Sequence, residues 1–425
     1  MTRPMYSTTF ARTGIQARRW LPWLFPFIVG ACDMLEEKSV DSTTNPPADS
    51  PTSPTSLTAA APASPLGGFT FRPANTDFNQ LTDVDWDNLP AVEVVGSNGG
   101  SITTSDPSAF GFDEDPVELL LEQEDGSSIA VLLVQSLKVP FGKKLRIGGR
   151  HPLAIVATDF IELEGPVELQ AHGPSSGPGG FSGSRSTSLG AGTVDTGFGG
   201  GNIGTSRYGA GGGSYCGRGG GSQGAQGLPG AASGTVYGNE QLIPLIGGSG
   251  GGSRGDGMGG GGGGALALVA GNRVVVSKDA YIHAGGGGGR FEDGLMTSSY
   301  GGGGGSGGAV LIEAPQVEIA GTIAVNGGGG GGGFMRDGQD ALPNAQPAKG
   351  GQFELNGEIT KGGDGSAAGQ THGETSIDGV GLGSGGGGGG AGRIRINSAS
   401  GQAEITGVLS PSLDTVCATQ GMLTR

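Results

Sequence analysis

Glycine occupies 95 of the 425 positions, much of it in unbroken runs: Gly259–Gly264, Gly285–Gly289, Gly301–Gly305, Gly327–Gly333 and Gly385–Gly390. Ordering each glycine costs roughly 0.5–1 kcal/mol more than ordering an alanine, so a run of six needs about 3–6 kcal/mol of compensation to be structured. Two readings follow: the runs are flexible linkers, or they lie side by side as extended, polyproline-II-like strands joined by backbone hydrogen bonds. With 34% hydrophobic and 6% aromatic residues, any core must be assembled from small aliphatic side chains at regular positions. That shifts the expectation from an ordinary globular fold to a repeat.

Treated as punctuation, the glycines expose such a repeat. Leu153, Ile155 and Ala157 match Leu266, Leu268 and Ala270, then Val310, Ile312 and Ala314. Ile161 and Leu163 match Val274 and Val276, then Val317 and Ile319. Val167 and Leu169 match Ala280 and Ile282, then Ile323 and Val325. A weaker copy runs from Ile394 and Ile396 through Ala403 and Ile405 to Leu409. The intervening residues include Glu162, Glu168, Glu318, Arg393 and Arg395, which is half-buried strand patterning. Three strands separated by bends form one turn of a stack, and the alanines at 157, 270 and 314 with Ser398 suit a tight corner. One turn alone cannot bury enough surface, so each needs neighbours.

The expected fold is therefore all-β: a parallel β-helix (solenoid) with long glycine-rich insertions from one edge and a β-rich N-terminal cap. A β-sandwich with long loops is the competing architecture. Residues 151–410 form the solenoid, with insertions at 173–264, 285–308 and 327–392. Residues 68–150 form the cap, in which Val117–Gln123 and Ile129–Val134 flank Asp125-Gly126 and predict a hairpin. Residues 411–425 form a C-terminal tail.

The N-terminus follows the order of a secretory signal: a basic stretch ending in Arg18 and Arg19, an apolar stretch from Trp20 to Val29, then Gly30-Ala31-Cys32. Pro22 and Pro26 argue against a packed helix. Val29-Gly30-Ala31-Cys32 resembles the lipobox of bacterial lipoproteins, with valine where leucine is commoner. That resemblance implies a signal peptide over 1–31 and a lipid anchor on Cys32. Residues 32–67, rich in Ser, Thr, Pro and Ala, read as a disordered tether. Once Cys32 is assigned to lipid, Cys216 and Cys417 are left as a candidate disulfide in an oxidising compartment.

The aliphatic triplets closed by glycine runs resemble glycine-rich cell-envelope lipoproteins of the myxobacterial type over residues 90–410. The resemblance implies architecture and surface location more than an activity.

Candidate chemistry is sparse. Asp83, Asp85 and Asp87 open like a calcium loop, but Asn88 stands where glycine is needed and no glutamate follows at the twelfth position. Gly362-Gly363-Asp364-Gly365 lacks the rest of a β-roll calcium repeat, and no glycine run carries the Gly-Lys-Ser/Thr of a phosphate loop. Arg254-Gly255-Asp256 matches a cell-adhesion tripeptide that arises easily by chance in such a chain. His283 aligns with Gln170 and Asn326 as an outward polar column, while His151, His172 and His372 have no metal spacing. Glu162 and Glu318 match each other but are separated by Val275, which interrupts any carboxylate stack. No catalytic residue, metal ligand or cofactor is assigned.

The formal charge is −15, and losing Arg3, Arg12, Arg18 and Arg19 leaves 20 basic against 39 acidic residues, or −19. A chain so acidic is repelled by phosphate backbones, which excludes nucleic acid as a partner. The expected role is that of a non-catalytic lipoprotein of the cell envelope, tethered at the outer membrane or periplasmic face. It would act structurally or adhesively, with a surface glycan or protein as ligand. The alternative is a β-helix enzyme, a lyase or hydrolase, acting on polysaccharide.

Overall fold

The computed structural model describes residues 68–76, 78–185, 196–205, 208–224, 230–255, 257–291, 300–378 and 383–424. The chain divides into Met1–Ala61 and Pro62–Arg425; the description below concerns the second unit. The expected signal peptide, the tether and Cys32 lie outside the described residues. Among those described, Phe78–Leu81 and Trp86–Asn88 are short 3-10 turns, and nearly all of the regular structure is strand.

Three sheets dominate, and the chain visits them in rotation. The first contains, in spatial order, Val117–Glu122, Ser128–Val134, Leu153–Ala157, Ala265–Ala270, Ala309–Glu313, Arg393–Ser398 and Ala418–Met422. The second runs Ala91–Glu93, Ser136–Val139, Phe160–Leu163, Arg273–Val276, Gln316–Ile319 and Glu404–Ile405. The third runs Ser108–Phe110, Gly100–Thr103, Leu145–Gly148, Val167–Glu168, Tyr281–His283, Thr322–Ala324 and Val408–Ser410. Neighbours pair in parallel except Val117–Glu122 on Ser128–Val134 and Ser108–Phe110 on Gly100–Thr103. Both antiparallel strands sit at the edge where the chain enters its sheets, so they cover what would otherwise be open parallel edges. The Asp125-Gly126 turn closes the first of them, with Gly126 at φ +81°.

Register follows from the apolar period. Ile155 pairs with Leu268, Leu268 with Ile312 and Ile312 with Ile396, and all four belong to one buried cluster with Ile161, Val274, Val317 and Ile323. The corner column is equally enclosed: Ala157, Ala270, Ala314 and Ser398 are all buried. In the third sheet Val167 and Ile323 fall in line as the sequence alignment has them, but the strand between them, Tyr281–His283, is shifted by two residues from that alignment. Val167 pairs with Ile282, which pairs with Ile323, which pairs with Leu409. A slip of two preserves which side chains face inward, so hydrophobic periodicity does not detect it, whereas a slip of one would turn the whole strand over. The correction moves His283 beside Glu168 and Ala324, away from the expected Gln170 and Asn326.

The first sheet also departs from the expected pattern, because both of its faces are covered. Ile129, Val131, Leu133, Ala154, Val156, Ala267, Val269 and Leu311 point away from the shared interior, into a second core with Phe69, Phe71, Leu81, Tyr215, Leu242 and Leu245. Glu313 is buried on that face, where its carboxylate accepts hydrogen bonds from Ala74 N–H (2.8 Å) and Asn397 Nδ2 (2.9 Å). Burial raises its pKa.

The insertions leave between the third and first sheets and pack on one another. Gly303, Gly304 and Gly305 donate in turn to the carbonyls of Gly252 (3.0 Å), Gly387 (2.9 Å) and Gly287 (2.9 Å). Their own carbonyls accept from Gly260 (2.8 Å), Gly213 (2.9 Å) and Gly328 (2.9 Å). Three successive amides pointing at three different neighbours define a three-residue screw, the period of a polyproline-II helix. The six partners lie on six separate segments, so the run is surrounded on all sides. A Cβ on Gly303 would fall within 3.0 Å of the Gly211 carbonyl, which explains why the interior of this array consists of glycine. Of the two readings left open by the sequence, close packing is the one the structure adopts.

A few polar side chains mark places in the array. Ser306 Oγ accepts from Ser249 N–H (2.8 Å), Ser366 Oγ from Gly327 N–H (2.9 Å), and Ser214 Oγ from Gly219 N–H (2.8 Å). Asp364 binds Lys349 Nζ (2.8 Å), Lys361 Nζ (2.7 Å) and Gly350 N–H (2.9 Å). Burial alone would push the Asp364 carboxyl up, but these donors outweigh it and hold its pKa below the ordinary value.

Candidate binding cleft

The bend between the third and first sheets carries Gly149, Arg150, His151 and Pro152. Gly149 has φ +117°, and a Cβ there would meet Thr104 and the Ser105 amide within 3.0 Å. The bend is pinned by its backbone: Arg150 N–H donates to Ser105 Oγ (2.9 Å), His151 N–H to Thr104 Oγ1 (3.1 Å), and Gly179 N–H to Arg150 O (3.0 Å). The side chains stay available. Arg150 is exposed, and its guanidinium makes no hydrogen bond or ion pair with any described residue.

Facing the bend are the Asp125 hairpin turn, the 176–182 stretch of the first insertion, Phe198, and Leu245 with Ile246, which together enclose a cleft of about 750 Å³. Gln123 ties the hairpin to the insertion by donating to Leu245 O (3.2 Å) and accepting from Leu245 N–H (2.8 Å). Asp125 Oδ1 accepts from Ser127 N–H (2.9 Å) and Oγ (2.6 Å); Oδ2 has no partner among the described residues. Desolvation, then the charge of Arg150, lowers the His151 pKa, so the imidazole is neutral at pH 7 and offers one donor and one acceptor.

A row of aromatic rings leads into this cleft. Buried Tyr215 stacks on Tyr237 with centroids 4.5 Å apart, Tyr237 meets Phe198 at 5.7 Å, and Phe198 meets Phe181 edge-to-face at 5.8 Å. The tyrosine hydroxyls donate to Ile246 O (2.9 Å) and Gly247 O (2.6 Å). The row thus braces one cleft wall, and within it Phe198, between Tyr237 and Phe181, is 66% exposed.

The residues singled out in the sequence fall elsewhere. Cys216 and Cys417, 201 positions apart, are joined by a disulfide with Cα atoms 5.6 Å apart, linking the first insertion to the turn just before the final strand. His283 faces away from the shared interior, in register with Glu168, but is buried beneath the insertion: Ala341 and Gly285 pack near its ring, and Nε2 has no hydrogen-bond partner. Burial drives its pKa down to about 4. Asp364 is an ion-pair hub within the glycine array and Asp85 accepts from Asn88 Nδ2 (2.8 Å). Among the described residues no three His, Cys, Asp or Glu side chains group to hold a metal ion.

Glu162 and Glu318 stand in one outward column of the second sheet with Val275 between them. Two strand spacings separate them by about 9.6 Å, and Glu162 is ion-paired with Arg273 at 2.6 Å. The cleft itself was missed by sequence reasoning, because its residues come from six separate segments. The one available signal was the grouping of Phe181, Phe198, Tyr215 and Tyr237 in an insertion otherwise poor in aromatics.

Comparison with known proteins gives no matching family model, no matching curated protein and no matching solved structure. Among the described residues no helix is long and apolar enough to cross a membrane.

Proposed function

We propose that this chain is a non-catalytic lipoprotein of the cell envelope, anchored through Cys32 at the outer membrane or periplasmic face. It displays a parallel β-helix solenoid with a lateral glycine bundle, in a structural or adhesive role. The rotation of one chain through three in-register parallel sheets supports the solenoid reading. The glycine array carries the functional one: its backbone is hydrogen-bonded in every direction, so it adds a rigid lateral surface without adding reactive side chains.

The anchor reading rests on the basic, apolar and small-residue order ending at Cys32. Metabolic labelling with a fatty-acid analogue tests it: wild type takes up label and Cys32→Ser does not. Uptake that survives the substitution refutes the assignment. For the adhesive role, cells carrying the protein attach to a partner surface and the deletion strain does not; equal attachment, or turnover of envelope or plant polysaccharide by the purified chain, overturns it.

A further inference from the structure

We propose that the cleft beside Arg150 binds an uncharged oligosaccharide, deepening the adhesive reading and resting on it. Sugar rings present hydroxyls that both donate and accept, together with apolar C–H faces, and a site for them must match all three. Arg150 supplies donors, Asp125 Oδ2 an acceptor, and neutral His151 one of each. Phe198 supplies an exposed ring at the rim, held by Phe181 and Tyr237 on its two sides. The facing guanidinium and carboxylate cancel in charge, and the strongly acidic chain repels an anionic polymer, so the fitting ligand is neutral.

Preorganisation strengthens the assignment. The backbone of Arg150 and His151 is fixed on both sides, the opposite wall is tied by Gln123 and braced by two tyrosine hydroxyls, and the Arg150 guanidinium and Asp125 Oδ2 carry no competing bonds among the described residues. A ligand entering such a cleft has little ordering of the protein to offset.

The test is binding of the purified full-length chain to pentasaccharides of β-linked glucose, β-linked N-acetylglucosamine and α-linked mannose, with a galacturonate pentasaccharide as the charged comparison. At least one neutral probe should bind, and Arg150→Gln and Phe198→Ala should each weaken it by about tenfold or more, equivalent to about 1.4 kcal/mol. Phe141→Ala removes another exposed ring, 75% accessible and not part of the cleft lining, and should leave affinity unchanged. Unaltered hydrogen-exchange protection of the sheets shows that each variant is folded. Failure of all neutral probes to bind, tighter binding of the galacturonate, or unchanged affinity in both cleft variants overturns the proposal. Cell attachment measured in parallel separates this from the broader reading: cells that adhere as well with Arg150→Gln leave adhesive display standing and overturn the cleft.

Discussion

Replacing Gly303 by alanine places a methyl group against the carbonyl of Gly211, inside the 3.0 Å that real Cβ atoms respect. The neighbouring strand must move, and overpacking of this kind costs about 1–3 kcal/mol. Gly303 also donates to Gly252 and accepts from Gly260, and weakening both bonds adds about 0.5–1.5 kcal/mol each. Alanine recovers about 0.4–1 kcal/mol by restricting the unfolded chain, so the expected net loss is about 1–6 kcal/mol. Gly369 provides the control, since a Cβ there meets nothing within 4 Å, and Gly369→Ala should be neutral or slightly stabilising. Denaturant unfolding gives the magnitudes, and hydrogen exchange of peptides spanning 300–308 and 385–392 shows where protection is lost. If Gly303→Ala is as stable as Gly369→Ala and its array amides exchange as slowly, the close-packed account of the glycine runs is wrong.

Two further expectations concern buried groups outside the cleft. His283 has a pKa near 4 in the fold against an ordinary 6.5, so the unfolded chain takes up a proton that the folded chain refuses. Stability should be complete above pH 6.5 and decline by about 3 kcal/mol as pH falls to 4; His283→Leu should flatten this limb in unfolding curves measured across that range, and an unchanged limb refutes it. Breaking the Cys216–Cys417 bond frees a closed loop of about 200 residues, for which chain entropy gives about 5 kcal/mol. Comparing unfolding midpoints of wild type and the double serine variant checks this, and equal midpoints would mean that the linkage constrains nothing.

The all-β class and its parallel sheets were legible because aliphatics recur at period two in segments separated by bends. Ile155, Leu268 and Ile312 could be aligned from sequence because each is flanked by a matching alanine corner. The third sheet had no such marker: its apolar residues are spaced so evenly that positions 280, 282 and 284 are interchangeable by pattern alone. Burial of the outer face of the first sheet had a visible signal, since residues 129–134 and Ala265–Ala270 are continuously apolar instead of alternating, as strands covered on both faces are. The cleft was not legible, because Arg150, Asp125, Phe181 and Phe198 are brought together only when the first insertion folds back onto the entering hairpin.

A homopolymer carries no address. Sliding one polyglycine strand along its neighbours by a single step restores an equivalent set of backbone contacts, so the runs themselves cannot distinguish correct from shifted alignment. That information resides in the sparse serine hydroxyls at 214, 306 and 366 and in the carboxylate at 364, which act as notches on otherwise featureless rods. Loss of a notch should therefore yield a mixture of misaligned but still ordered bundles rather than a melted one, and the evolution of the insertions is free in length only between these fixed points.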